Sequence, residues 1–176
     1  SSSTLISNIA QWAKVNPYYL LQVGFGGSGY DIACALAAGP ILYTRKTEQP
    51  IVKSAAFFPS FNDQLHFIYL NQKKNSQEAV QAFDMNTINK EKIHKCNQLT
   101  YAISISKNIR EFNLLIEEHE RLIGEFIDQK PIKQKLFSDF PGGIKSLGAW
   151  GGDFILATGT KETIEYFKEK GYATVI

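Results

Sequence analysis

The chain has 176 residues, 44% hydrophobic and 20% charged, which supports an ordinary folded core and argues against a disordered or fibrous chain. Its formal net charge is +2, with the lysines scattered, so no clustered basic face points to a nucleic-acid partner. No apolar run approaches the ~20 residues of a membrane span, and no signal-peptide pattern is visible.

The first residue is Ser1 rather than Met, and it stands at what reads as a helix start. We therefore expect upstream sequence. Ser1, Ser2, Ser3 and Thr4 precede Leu5, Ile6, Ile9, Ala10 and Ala13, which recur at helical spacing. Hydroxyl residues are good N-caps, yet four in a row exceed what a cap needs. Asn16-Pro17 stops this helix, because the residue before proline avoids the α region. Residues 18–23 read as a short strand or extended entry.

Gly24, Gly26, Gly27 and Gly29 then fall within six residues, followed by Tyr30 and Asp31. Glycine admits positive φ and close approach of a ligand to the backbone. Such a loop feeding a helix offers unpaired N–H groups and about +0.5 of a charge, which suits an anion. The same residues also suit a plain tight turn, with Asp31 in the first helical turn for dipole reasons. Gly24, Gly26 and Gly29 fit G-x-G-x-x-G as well, a weak dinucleotide fingerprint. The next strand ends in Arg45-Lys46, which would suit an NADP 2′-phosphate. Against this, Gly39-Pro40 closes the helix early and no series of βα units follows.

Residues 31–38 form a compact helix pattern. Residues 41–43 and 51–57 read as two strands joined by a turn at 47–50. Residues 59–63, with Pro, Ser, Asn and Asp, mark a boundary. Beyond it come a strand at 65–70, a helix capped by Asn75 or Ser76 and carrying Phe83, and a helix at 90–105. The longest helix, 108–129, has Phe112, Leu115, His119, Leu122 and Phe126 as its apolar stripe. Glu117, Glu118, Glu120, Arg121 and Glu125 fall mostly off that stripe, on a solvated face. His119 reads as a hydrogen-bonded core histidine. His66 and His94 lack partners at zinc-ligand spacing. Cys34 and Cys96 lie in apolar helical patterns, which predicts reduced core thiols and a cytoplasmic protein. Residues 141–143, Pro-Gly-Gly, precede strands at 144–150 and 154–157. A helix from Glu162 to Lys170 follows, with Gly171 as its C′ residue, and the last strand is 172–176. From Leu65 onward this is the ferredoxin-like, split βαβ order with extra helix in the first crossover.

Three pieces carry a resemblance. They are the hydroxyl-rich helix start, Ser28-Gly29-Tyr30-Asp31 followed by small residues and Gly-Pro, and the late glycine turn before a βαβ ending. Together they resemble the GHMP kinases (galactose, homoserine, mevalonate and phosphomevalonate kinases), most of all the bacterial group with a GYDIA signature. Here that signature is Gly29-Tyr30-Asp31-Ile32-Ala33. The likeness covers essentially the whole chain. It implies an α+β, two-part fold. Residues 1–60 would be the C-terminal part of an ATP- and substrate-binding domain, and residues 61–176 a ferredoxin-like domain with inserted helices.

The resemblance implies ATP and Mg²⁺ as cofactors, and mevalonate or its phosphate as the model for a small-molecule acceptor. Ser1 to Thr4 would be the tail of a GLGSS-type phosphate loop, with Ser1 and Ser2 binding phosphate or Mg²⁺ beside Ser3 and Thr4. Asp31 would act as base or orienter for the acceptor hydroxyl, flanked by Ser28, Gly29 and Tyr30 at the substrate. Gly148, Ala149, Gly151 and Gly152 would stand in the TGAGGGG-type turn that packs on the phosphate site. No nucleic-acid or membrane partner is implied, and the oligomeric state is open, a homodimer included. The chain departs from the family pattern in four respects, one being a shorter span from the serines to Asp31. Trp150 and Asp153 replace glycines and would narrow the turn. No Asp or Glu lies between Ser1 and Tyr30, where several members place a metal-binding glutamate. The family's first motif, with its lysine, is absent from this chain. These departures motivate a second expectation, a non-catalytic GHMP-fold ligand binder, ahead of the NADP-dependent oxidoreductase.

Overall fold

The computed structural model describes residues 2–24, 26–46, 49–72, 90–148, 150 and 152–175. The helix expected around Asn75 to Phe83 lies outside the described residues. The chain divides into two compact units, Ser1–Phe57 and Phe58–Ile176. Both mix helix and strand, and the class is α+β.

The first unit holds helices α1 (Ser2–Ala13), α2 (Pro17–Gly24) and α3 (Tyr30–Leu36), then strands β1 (Ile41–Thr44) and β2 (Ile51–Ser54). α1 packs on both α2 and α3. Ile6 and Ala10 are buried on α1, and Ile32 and Ala33 on α3. The small side chains of Ala10 and Ala33 permit close helix approach. β1 and β2 form an antiparallel hairpin with Ile41 opposite Ser54 and Thr44 opposite Ile51.

Residues 18–23 are helical, not the extended entry expected from their apolar run. The reason lies in Asn16-Pro17. The Asn16 side chain accepts a hydrogen bond from the Tyr18 N–H at 2.9 Å, and Pro17 opens the helix. Proline is pre-set for the first helical position, where its missing N–H costs nothing. The pair that stops α1 therefore starts α2. The glycine loop thus follows a helix, which removes the strand that a dinucleotide fingerprint requires.

The second unit opens with a 3₁₀ turn at Asn62–Gln64 and strand β3 (Leu65–Tyr69). Helices α4 (Lys90–Ile105), α5 (Ile109–Phe126) and α6 (Ile132–Leu136) follow, then β4 (Ile144–Ser146), β5 (Phe154–Thr158), α7 (Glu162–Glu169) and β6 (Ala173–Val175). The sheet order is β4-β5-β3-β6, with every neighbouring pair antiparallel. The unit's first and third strands are central and its second and fourth are at the edges, which is the split βαβ order. Alternation in β3 sets its faces: His66, Ile68 and then Leu70 are buried, while Phe67 and Tyr69 are exposed.

The core beneath the sheet is built on Ile68, Phe137, Phe140, Ile155 and Phe167. Phe137 and Phe167 are fully buried, with ring centroids 5.0 Å apart. Each such side chain contributes about 1.5–3 kcal/mol by leaving water. α6 was not expected from the sequence; it is short, follows Pro131, and buries Ile132.

α5 is capped by Asn108, whose side chain accepts from the Glu111 N–H at 2.9 Å. Its buried stripe runs through Phe112, Ile116 and Glu120, four residues apart, together with Leu122. That corrects the expected stripe through Leu115 and His119. It also brings Glu120 in from the solvated face assigned to it. Cys34 is exposed rather than a core residue, because the buried face of α3 runs through Ile32 and Ala33; Cys96 is half-buried. Both thiols are free.

Candidate functional site

Of the predicted site residues, Ser28, Gly29, Tyr30 and Asp31 lie in one turn. Gly29 sits at φ 80°, the left-handed region, and precedes α3 as its N-cap. A Cβ at that position would lie 3.0 Å from the Tyr18 ring and 3.2 Å from the Tyr43 hydroxyl. Both the φ and the packing therefore require glycine. The Tyr43 hydroxyl donates to the Ser28 carbonyl in a short hydrogen bond. The Tyr30 N–H donates to the Ser28 hydroxyl at 3.3 Å. The Tyr30 ring meets Tyr43 edge to face, with centroids 5.8 Å apart.

Burial, followed by a hydrogen bond with Cys34, pushes the Tyr30 phenol up to about 12. Burial also raises Tyr18 and Tyr43, so all three remain neutral donors at physiological pH. The Ser28 carbonyl and hydroxyl and the Gly29 backbone thus help to build the turn, while Ser28 and Tyr30 keep exposed surface. Asp31 occupies the first turn of α3 with its carboxylate exposed. Tyr18 and Tyr43, the two supports, were missed in the sequence; nothing in its local pattern marks them.

α1 begins at Ser2, with Ser3 half-buried and Thr4 exposed in its first turn. Ser1 lies outside the described residues, as does the Ser2 side chain. No acidic residue occupies this first turn. A helix start of 12 residues with hydroxyls and no carboxylate fits a phosphate group. The metal fits less fully, since this segment offers hydroxyl oxygens and no carboxylate. Among the described residues, no three His, Cys, Asp or Glu side chains stand together as a metal site.

The glycine turn of the second unit follows β4. Gly148 has φ 62° with open space where a Cβ would point. Gly152 is buried, and Ala149 and Gly151 lie outside the described residues. Trp150 is half-buried. Its indole lies against α5, where Nε1 donates to Glu120 at 3.2 Å and the ring comes 3.6 Å from a Cβ built on Gly124.

Glu120 is 2% exposed and gathers three donors from one strand and its turn. They are the Ser146 hydroxyl at 2.8 Å, Trp150 Nε1, and Lys145 Nζ at 3.3 Å. A buried carboxylate is tolerated only when so satisfied. Its place was legible in the four-residue spacing from Phe112 and Ile116. Lys145 Nζ also lies 3.3 Å from His119 Nδ1. Burial, and then the Lys145 charge, hold the His119 imidazole down at about 4, so it is neutral at pH 7.

No protein-family model matches the chain, and no curated protein matches it. Its fold is similar to the crystal structure of a Lin0012 protein from Listeria innocua, with a TM-score of 0.71 and 16% identity. The similarity covers 97% of this chain and 62% of that one, so the chain spans under two thirds of its neighbour's length. At that identity the likeness is one of fold.

Proposed function

We propose that the protein is an ATP-dependent small-molecule kinase of GHMP type. It would transfer a phosphoryl group to a hydroxyl, or to a phosphate, of a metabolite resembling mevalonate or phosphomevalonate. The observation that carries this reading is the Ser28-Gly29-Tyr30-Asp31 turn: three residues fix the backbone, and the fourth presents an exposed carboxylate at the start of α3. The open conformation at Gly148, with Trp150 turned onto α5, supports a glycine turn able to lie beside a phosphate. On this reading Ser1–Phe57 is the C-terminal part of the ATP- and substrate-binding domain, and Phe58–Ile176 the ferredoxin-like domain. The protein would act in the cytoplasm.

Phosphoryl transfer asks a protein chiefly for positioning and charge neutralisation. The N–H groups and hydroxyls at the start of α1, Ser1 to Thr4, would hold phosphate oxygens. Ser1 and Ser2 would supply oxygen ligands to Mg²⁺, which when bound neutralises charge on the phosphoryl oxygens. Asp31 would accept, or orient, the proton of the acceptor hydroxyl, a task that demands hydrogen-bond reach. Gly148, Ala149, Gly151 and Gly152 would lend backbone N–H groups to the phosphates.

The test is to incubate the full-length protein with Mg-ATP and a panel of mevalonate-type acceptors, and to follow ADP and phosphorylated product by mass spectrometry. Product formation is the expected result. ATP binding without product on any acceptor would leave a nucleotide-binding protein. Neither binding nor product would overturn the reading.

A further inference from the structure

We infer that Tyr43 is a positioning residue for Asp31, acting through the Ser28 carbonyl; this rests on the kinase reading above. Within the signature turn, the Ser28 hydroxyl accepts a local hydrogen bond from the Tyr30 N–H at 3.3 Å. Upstream, Gly26 and Gly27 have φ of 67° and 110°, and the Gly26 N–H donates to the Leu21 carbonyl at 2.6 Å. α3 anchors the turn from its C-terminal side through buried Ile32 and Ala33, and a second link, to Ser28 itself, comes from β1. Tyr43 lies 15 residues downstream, opposite Val52 in the β1–β2 hairpin. From there its hydroxyl donates to Ser28, and its ring is met edge-on by Tyr30.

Tyr18 closes the other side, with its ring against Gly29. The result is a clamp in which α2 and β1 hold Gly29 and Ser28, two and three residues before Asp31. A base held within a fraction of an ångström of its proton is worth far more than one that wanders, and a 1 Å displacement can cost about a hundredfold in rate. The clamp accounts for a phenol at position 43 that a strand on this hairpin does not otherwise need. It also reassigns Ser28, Gly29 and Tyr30 from touching substrate to fixing the carboxylate that does.

The test uses Tyr43→Phe in the full-length protein, which removes the hydroxyl and keeps the ring beside Tyr30. Hydrogen exchange is read over residues 26–31, with residues 109–126 as internal reference, and steady-state kinetics with Mg-ATP is read in parallel. We expect about tenfold faster exchange at 26–31 with the reference unchanged. We also expect kcat to fall by about ten- to a hundredfold while KM for ATP stays put. Wild-type exchange at 26–31 in the variant would overturn the clamp whatever the activity. Faster exchange with an undiminished kcat, in a wild type that turns over, would overturn the positioning role alone. No transfer by the wild type would overturn the kinase reading and the positioning role with it, leaving the exchange result to decide whether Tyr43 holds the turn.

Discussion

Trp150 donates its indole N–H to Glu120, so the tryptophan of the late glycine turn is tied to a carboxylate buried on α5. The same carboxylate accepts from Ser146 and Lys145. One residue on a helix thereby fixes the end of β4 and the turn beyond it. Glu120→Ala takes the acceptor from Ser146 and Trp150 and the counter-charge from half-buried Lys145, and the loss should be about 3 kcal/mol. Glu120→Gln keeps an acceptor oxygen and should cost less, about 1–3 kcal/mol. Denaturant melts check both, and Trp150 fluorescence should shift to the red in the alanine variant.

His119 gives a pH dependence of definite sign. Its imidazole takes a proton near 6.5 in the unfolded chain and only at about 4 in the folded one. The unfolded state therefore binds the extra proton between those values. Stability is full above about pH 6.5 and declines as pH falls toward 4, by up to about 3 kcal/mol from this group. Carboxylates add their own acid loss, so the comparison is with His119→Asn. The difference between the two unfolding free energies should shrink across that window and be flat above it.

Thr158 is fully buried, accepts from the Gly143 N–H at 2.8 Å and donates to Asn113 at 2.6 Å. Thr158→Val keeps the shape and strands both partners, at a cost of about 2–3 kcal/mol. At the neighbouring Gly142, a Cβ would lie 1.9 Å from the Thr158 carbonyl oxygen, which no side-chain adjustment relieves. Gly142→Ala should therefore be the more damaging change. Thermal melts of the two variants give the ranking.

Two glycines with positive φ should behave differently when replaced by alanine. At Gly148 the added methyl meets nothing, so Gly148→Ala pays the left-handed backbone alone, about 1–2 kcal/mol. At Gly29 the methyl also meets Tyr18 and the Tyr43 hydroxyl, so Gly29→Ala should cost more and should loosen the turn. Proteolysis or hydrogen exchange over residues 26–31 distinguishes them: the Gly29 variant opens there and the Gly148 variant does not.

Much of the second unit was legible because its signals are periodic and punctuated. The alternation in β3, the helical spacing from residue 108 and the Pro-Gly-Gly break each act locally, so these elements start close to where those signals put them, although the strand expected at 144–150 ends at Ser146. The first unit was harder to read. Residues 18–23 look like a strand by composition, and one Asn side chain with one proline decides for helix. Glu120 was misplaced because a glutamate is assumed to seek water, although its spacing from Ile116 already put it on the buried stripe. The supports of the signature turn are long-range: Tyr43 reaches Ser28 across 15 residues, and no local pattern encodes that contact. Asp31 itself stood out because it is the first carboxylate after 30 residues without one.

The most direct measurement is steady-state phosphoryl transfer by the full-length protein and its Asp31→Asn variant, with Mg-ATP and the best mevalonate-type acceptor. Asp31 is exposed, so the variant should fold and melt like the wild type. The expected result is a fall in kcat of about a hundredfold or more at unchanged KM for ATP. Equal turnover by the two proteins would contradict the role given to Asp31, and with it the reading of the signature turn.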